Sequence, residues 1–257
     1  LSEYCNSKNI EFMSTPFSVE DAKQIDPYVN FHKIASYEIS HYRLIEFIAK
    51  THKPTFLSTG AATIDEIEWA VNHYFKNGGK NLTLLQTTAK YPAPLESLNI
   101  NSIVTLKNHF NLPIGLSDHS LNPIIGPISA TALGATAIEK HFTLNKKLPG
   151  PDHSFALDPP ELKEMVQVIR NCEKCLGSRE KIVQDYELEL RDFAQRSIQC
   201  IKNISKGESF LEGINFAILR SGKCNKGIHP KFIEALEGKI STRSISIGDG
   251  ILESDYE

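Results

Sequence analysis

The sequence lacks any stretch long and apolar enough to cross a bilayer, which would take about 18 consecutive apolar residues. No charged segment leading into a short apolar core opens it, so neither a membrane span nor a secretory leader is expected. It also lacks a surplus of either charge. Twenty-eight Lys and Arg against 31 Asp and Glu leave a formal net charge of −3, with a pI near 6.3. That balance gives no general electrostatic case for binding nucleic acid or an anionic membrane. No glycine-rich dinucleotide fingerprint follows any predicted strand, which weighs against a Rossmann domain. Cysteine is sparse and odd in number (Cys5, Cys172, Cys175, Cys200 and Cys224), a pattern that favours a reducing cytoplasm over a disulfide framework. Cys172 and Cys175 form one CxxC at the polar end of a predicted helix, with no second pair or histidine nearby, and no metal is assigned to them.

What is present is a repeat of short apolar runs, each ending in Ser, Thr or Gly and followed by an amphipathic stretch. The pattern predicts strands at Glu11–Thr15, Phe31–Ser36, Pro54–Thr59, Leu82–Thr87, Pro113–Ser117 and Thr136–His141. The helices between them fall near Val19–Ile25, Tyr42–Lys50, Ile64–Lys76, Asn101–His109 and Pro123–Leu133, with a longer one at Pro160–Leu176. Six consecutive βα units imply a parallel sheet, doubly wound or closed into a barrel. Functional-looking residues at nearly every strand end favour the barrel. Six units are two short of eight, and LSEYCNSKNI reads as the tail of a helix, so the chain is expected to lack its natural beginning. After Gly177 the composition changes. Residues 178–196 are highly charged and read as a linker, and residues 197–257 read as a small, mostly β domain with turn signals at Lys206-Gly207 and Gly248-Asp249-Gly250.

The chain is organised around Pro113–Asp152. Two apolar runs there each end in a polar cluster containing one histidine: Ser117, Asp118 and His119 in the first, Glu139, Lys140 and His141 in the second. A strand, a crossover helix and a second strand put both strand ends on one edge of a sheet. Period-2 alternation places Ser117 with His119, and Glu139 with His141, on common faces. The two imidazoles can therefore meet where parallel α/β proteins keep their chemistry. The alternative is that each caps a strand and bonds a backbone carbonyl. As metal ligands, two histidines leave positions open for water and substrate, as a catalytic metal requires.

The other strand ends supply Thr15, Lys33, Ser36 and Ser58, an ammonium and hydroxyls suited to a phosphate or carboxylate. Each hydroxyl taken singly reads as a helix cap or turn residue. Lys33 is the most informative, because a lysine ending a parallel strand is costly to bury without an anion. Glu38 and Tyr91 could hold sugar hydroxyls.

In this order MSTPF (13–17), KIASYE (33–38), LSTG (57–60), TAKYPAP (88–94), GLSDHS (115–120), EKHFT (139–143) and PGPD (149–152) resemble the sialic acid synthase family, whose members make N-acetylneuraminic, legionaminic and pseudaminic acids. Residues from Lys206-Gly207-Glu208 to Leu236-Glu237-Gly238-Lys239 look like that family's antifreeze-like (SAF) domain. The resemblance implies an α/β chain: a TIM-type (β/α)8 barrel lacking its first two strands over residues 1–177, and a small β-clip-like SAF domain over 197–257. It implies condensation of phosphoenolpyruvate with an N-acylated mannosamine-type aldehyde, giving a nine-carbon 2-keto acid and phosphate. It also implies a divalent metal (Mn or Mg) on His119 and His141, and catalytic roles for Glu139, Lys33 and Glu38. Thr15, Ser36, Ser58 and Ser117 would contact phosphoenolpyruvate, while Glu38, Tyr91 and Asp152 would hold the sugar. A homodimer is expected in which the SAF domain covers the partner's barrel mouth and Arg220 reaches that site.

Ala89 departs from the Asn or Ser often found in the family, Lys140 replaces an Arg found in some members, and the motifs of the family's first two strands are absent. Two alternatives stay open. One is a non-catalytic sugar- or phosphate-binding remnant of such a synthase. The other is a phosphoenolpyruvate-using octulosonate or heptulosonate synthase, against which the SAF-like segment argues.

Overall fold

A computed structural model describes all 257 residues. They fall into two compact units, Leu1–Gly177 and Ser178–Glu257. No helix is long and apolar enough to cross a membrane.

The first unit runs α1 (Ser2–Ser7), α2 (Val19–Ile25), β1 (His32–Ile34), α3 (Tyr42–Lys50), β2 (Thr55–Ser58), α4 (Ile64–Lys76), β3 (Leu82–Thr87), α5 (Ser102–Phe110), β4 (Ile114–Asp118), α6 (Ile125–Ala132), β5 (Ile138–Lys140) and α7 (Pro159–Leu176). All strands are parallel and pair in sequence order, β1-β2-β3-β4-β5. The segment Glu11–Thr15, expected as a sixth strand, forms no ladder. A strand exists only through a hydrogen-bonded neighbour, and the one link of this segment to the start of β1 is through side chains, Asn30 Nδ2 donating to Glu11 Oε2 at 2.8 Å. The predicted run of six strands is therefore corrected to five.

Local signals explain where the helices start. Thr63 and Glu66 form a reciprocal capping box at α4, Asp158 and Glu161 do the same at α7 with Pro159 in the first turn, and the Ser18 side chain caps α2. The apolar stripes of α3, α4 and α5 close over the sheet. Leu44, Ile45, Ile48, Ile67, Val71, Tyr74, Ile103 and Leu106 join Ile34, Leu57, Leu84, Ile114 and Leu116 in one core. All five residues of β4 are buried, as expected for a strand with a parallel neighbour on either side. Gly115 allows the last strand to come close: a Cβ there would lie 2.6 Å from the Ala137 carbonyl oxygen.

The second unit begins with exposed residues 178–193, where the linker was expected; they carry a 3-10 turn at Asp185–Glu187 and most of α8 (Leu188–Ala194). Its only ladder of more than one pair joins antiparallel β6 (Arg196–Cys200) and β7 (Phe216–Arg220), followed by the short α9 (Ile233–Leu236). Single bridges such as Ile204 with Ile245 and Ser209 with Ile240 tie the loops together. Ile198, Phe210, Phe216, Leu236, Ile245 and Ile251 form a separate core. Asp255 is fully buried and takes two bonds from Arg243, Nε at 2.6 Å and Nη2 at 2.9 Å.

Candidate active site

The carboxyl ends of the five strands open into one cleft of about 320 Å³. Thr15, Lys33, Ser36, Ser58, Tyr91, Ser117, His119, Glu139 and His141 all line it, so nine of the twelve expected site residues converge there. The register accounts for part of this. Ser117 on β4 pairs directly with Glu139 on β5, and its Oγ donates to Glu139 Oε1 at 2.6 Å. From β1, Lys33 Nζ donates to Ser58 Oγ at 2.8 Å and lies 3.6 Å from Glu139 Oε2. Burial pushes the Lys33 ammonium below the usual lysine range, while the Glu139 carboxylate pulls in the other direction. Ser36 Oγ accepts from Gly60 N at 3.1 Å. Since Ser36 and Ser58 are both engaged as acceptors, each keeps its own hydroxyl proton to offer to an anion.

His119 and His141 have ring centroids 5.3 Å apart at a 70° angle. His119 Nδ1 lies 2.9 Å from the Thr88 carbonyl oxygen. A carbonyl only accepts, so Nδ1 carries the proton and Nε2 keeps its lone pair. Burial lowers the His119 pKa and outweighs that bond, which favours the charged ring. Tyr91 packs on His119 at 4.2 Å between centroids and meets His141 edge-on at 5.8 Å. No group of three or more His, Cys, Asp or Glu side chains gathers as a closed metal cage. The two imidazoles suit instead an open site, with outer hydrogen-bond partners fixing the ring.

Three expected residues stand apart from this lining. Glu38 closes a 3-10 turn, Ser36–Glu38, and is half-buried outside the cleft. Asp152 is exposed, its carboxylate 3.8 Å from His141 Nε2. Arg220 ends β7 in the second unit and is exposed there. Sequence reading missed Phe17 and Thr87, which also line the cleft. Thr87, the last residue of β3, carries the same strand-end signal as the others, whereas Phe17 sits in a loop with no periodicity to flag it.

A family model described as the NeuB family matches residues 1–181. The chain belongs to the NeuB family. Pseudaminic acid synthase from Campylobacter jejuni serotype O:23/36 is 38% identical to it, over 100% of this chain and 73% of that protein. N,N'-diacetyllegionaminic acid synthase from Legionella pneumophila is also 38% identical, over 100% of this chain and 72% of its own length. Among solved structures, N-acetylneuraminic acid synthetase from Leptospira borgpetersenii, in complex with citrate, superimposes with a TM-score of 0.70 at 34% identity. It matches 74% of this chain and 68% of that one. The parallel sheet with its outer helices is thus the α/β architecture of NeuB synthase structures.

Proposed function

We propose that this NeuB-family chain condenses phosphoenolpyruvate with an N-acylated mannosamine-type aldehyde, yielding a sialic-acid-type 2-keto acid and phosphate. The observation that carries this reading is the convergence of Lys33, Ser36, Ser58, Ser117, Glu139 and both histidines on one cleft. The desolvated Lys33 ammonium and the free hydroxyl protons of Ser36 and Ser58 would hold the carboxylate and phosphate of phosphoenolpyruvate, with Thr15 and Ser117 beside them. Tyr91 and Asp152 line the approach to the histidines, where the sugar would sit, and Glu38 would meet it from the rim. In the reaction the enol carbon bonds to the aldehyde carbon, water adds to the former enol ester carbon, and that carbon's bond to the phosphate oxygen breaks as the ketone forms. Glu139, fixed by Ser117 and Lys33, is placed to take the proton from that water. His119 through Nε2 and His141 would hold a divalent cation, Mn or Mg, which polarises the aldehyde and stabilises the developing alkoxide.

The first unit is read as part of a TIM-type (β/α)8 barrel and residues 197–257 as an SAF domain. In the homodimer, Arg220 would serve the partner's site, its guanidinium suited to a carboxylate or phosphate.

Phosphate release and phosphoenolpyruvate binding, measured with Mn2+ or Mg2+ over a panel of mannosamine derivatives, test this reading. Aldehyde-dependent phosphate release supports the synthase. Binding without release selects the non-catalytic remnant, a reading favoured by the unclosed sheet, and absence of both rejects the two together.

A further inference from the structure

We propose that the buried pair Lys140–Asp118 is a positioning device, locking β4 and β5 in the one register that delivers both histidines to the cleft. The inference rests on the metal-assisted synthase reading and adds two residues that need not touch substrate. Alternation along the strands sends Ser117, His119, Glu139 and His141 to the cleft. Asp118 and Lys140, the residues between them, are direct register partners. Lys140 Nζ lies 3.0 Å from Asp118 Oδ2, and the two side chains are only 3% and 0% exposed. Although Lys140 borders the cleft, its ammonium is fully engaged elsewhere, donating also to the carbonyls of Ser120 at 2.6 Å and Asn122 at 3.4 Å. Asp118 Oδ1 accepts from Ser120 N at 2.8 Å. On its other oxygen rests the first turn of α6, where a Cβ on Gly126 would come within 2.6 Å of Oδ2. One ion pair therefore ties strand to strand, and both to the turn that follows His119.

The ladder needs such a tie. β5 has three residues and pairs with β4 at three positions, so its backbone specifies register weakly. A slip of one residue would turn Glu139 and His141 out of the cleft and put Lys140 in. Setting register is also the best-attested use of a buried ion pair, whose contribution to stability alone is small.

The test uses the full 257-residue chain. The double variant Asp118→Leu/Lys140→Met replaces the pair with apolar side chains of similar volume, a change that often preserves stability. Two readouts are taken: Mn2+ affinity by electron paramagnetic resonance, and the His119 tautomer by 15N-histidine NMR. The expected result is a melting temperature near that of the parent, Mn2+ binding weaker by about 10–100-fold, and a His119 ring no longer held with its proton on Nδ1. Lys140→Arg, which keeps a cation for Asp118, should recover most of both signals. A folded double variant with parental Mn2+ affinity and tautomer overturns the proposal. If the double variant does not fold, the near-isosteric Asp118→Asn takes its place: weakened Mn2+ binding and a freed His119 ring support the pair's role, and parental values of both overturn it. A parent chain that binds no Mn2+ removes the metal reading instead, and the tautomer alone then decides on the pair.

Discussion

The cleft of the first unit and the buried end of the second both remove charge from water, but they leave it in opposite conditions. Asp255 is saturated: besides two bonds from Arg243 it accepts from Leu252 N at 2.9 Å. Lys33 has one short bond, to Ser58, and two long contacts, the Ile34 carbonyl at 3.5 Å and the Glu139 carboxylate at 3.6 Å. The first arrangement offsets desolvation and holds a fold. The second is held loosely, two of its three contacts being long, so desolvation is only partly offset and a closer anion would offset more of it. The closeness of the partners, more than burial, separates the charge proposed for binding from the structural one.

Lys33→Met attacks the comparison most directly. Phosphoenolpyruvate binding is expected to weaken by about 100-fold or more, as when a charged partner of a charged ligand is truncated. The melting temperature should hold or rise, because a costly buried ammonium is gone. Calorimetric titration together with a thermal melt checks both, and a large drop in melting temperature would put Lys33 in the structural class. Next in size, Arg243→Ala strands the Asp255 carboxylate and should cost the second unit about 3 kcal/mol in urea unfolding, with phosphoenolpyruvate binding to the cleft unchanged.

The pH response sharpens the contrast. Burial opposes it, but the Arg243 bonds hold the Asp255 carboxyl below its ordinary value of 3.8. The unfolded chain therefore binds the proton more readily. The stability this group contributes is present above about pH 4 and is lost as pH falls through the lower folded value. Lys33, lowered by burial from 10.5, also binds its proton more readily when unfolded. It is a penalty at neutral pH, relieved as pH rises through its folded value toward 10.5. Denaturation midpoints across pH should show the acid-side slope of the second unit shrink or reverse in Arg243→Ala, where burial is left to act on Asp255, and the alkaline-side slope of the first unit change in Lys33→Met. The smallest effect, a control away from both sites, is Thr63→Ala at the α4 capping box, expected to cost about 1 kcal/mol in a melt with ligand binding unchanged.

Much of the first unit was legible in the sequence because its signals are local. The helices Val19–Ile25, Tyr42–Lys50 and Ile64–Lys76 lie at their predicted bounds, where side-chain caps coincide with the start of an apolar stripe. Strand ends marked by Ser, Thr or Lys likewise converged on one cleft. Glu11–Thr15 misled because its apolar run meets the local requirement for a strand but not the requirement for a hydrogen-bonded neighbour. The Lys140–Asp118 pair was illegible for a related reason: 22 positions separate its members, and only the register of β4 on β5 brings them together. The bond from His119 to the Thr88 carbonyl involves a backbone atom that no side-chain pattern announces.

Gly115 carries a consequence for how this chain can change over generations. The smallest substitution adds one methyl group, and that methyl would meet the Ala137 carbonyl oxygen at 2.6 Å, a backbone atom that cannot swing aside. Every mutational step from this codon to another residue therefore pushes β5 away from β4 and separates the two histidines. Neighbouring surface positions can drift freely, while this buried one has no neutral exit. In a saturation library selected for function, Gly115 should be among the last sites to admit any replacement.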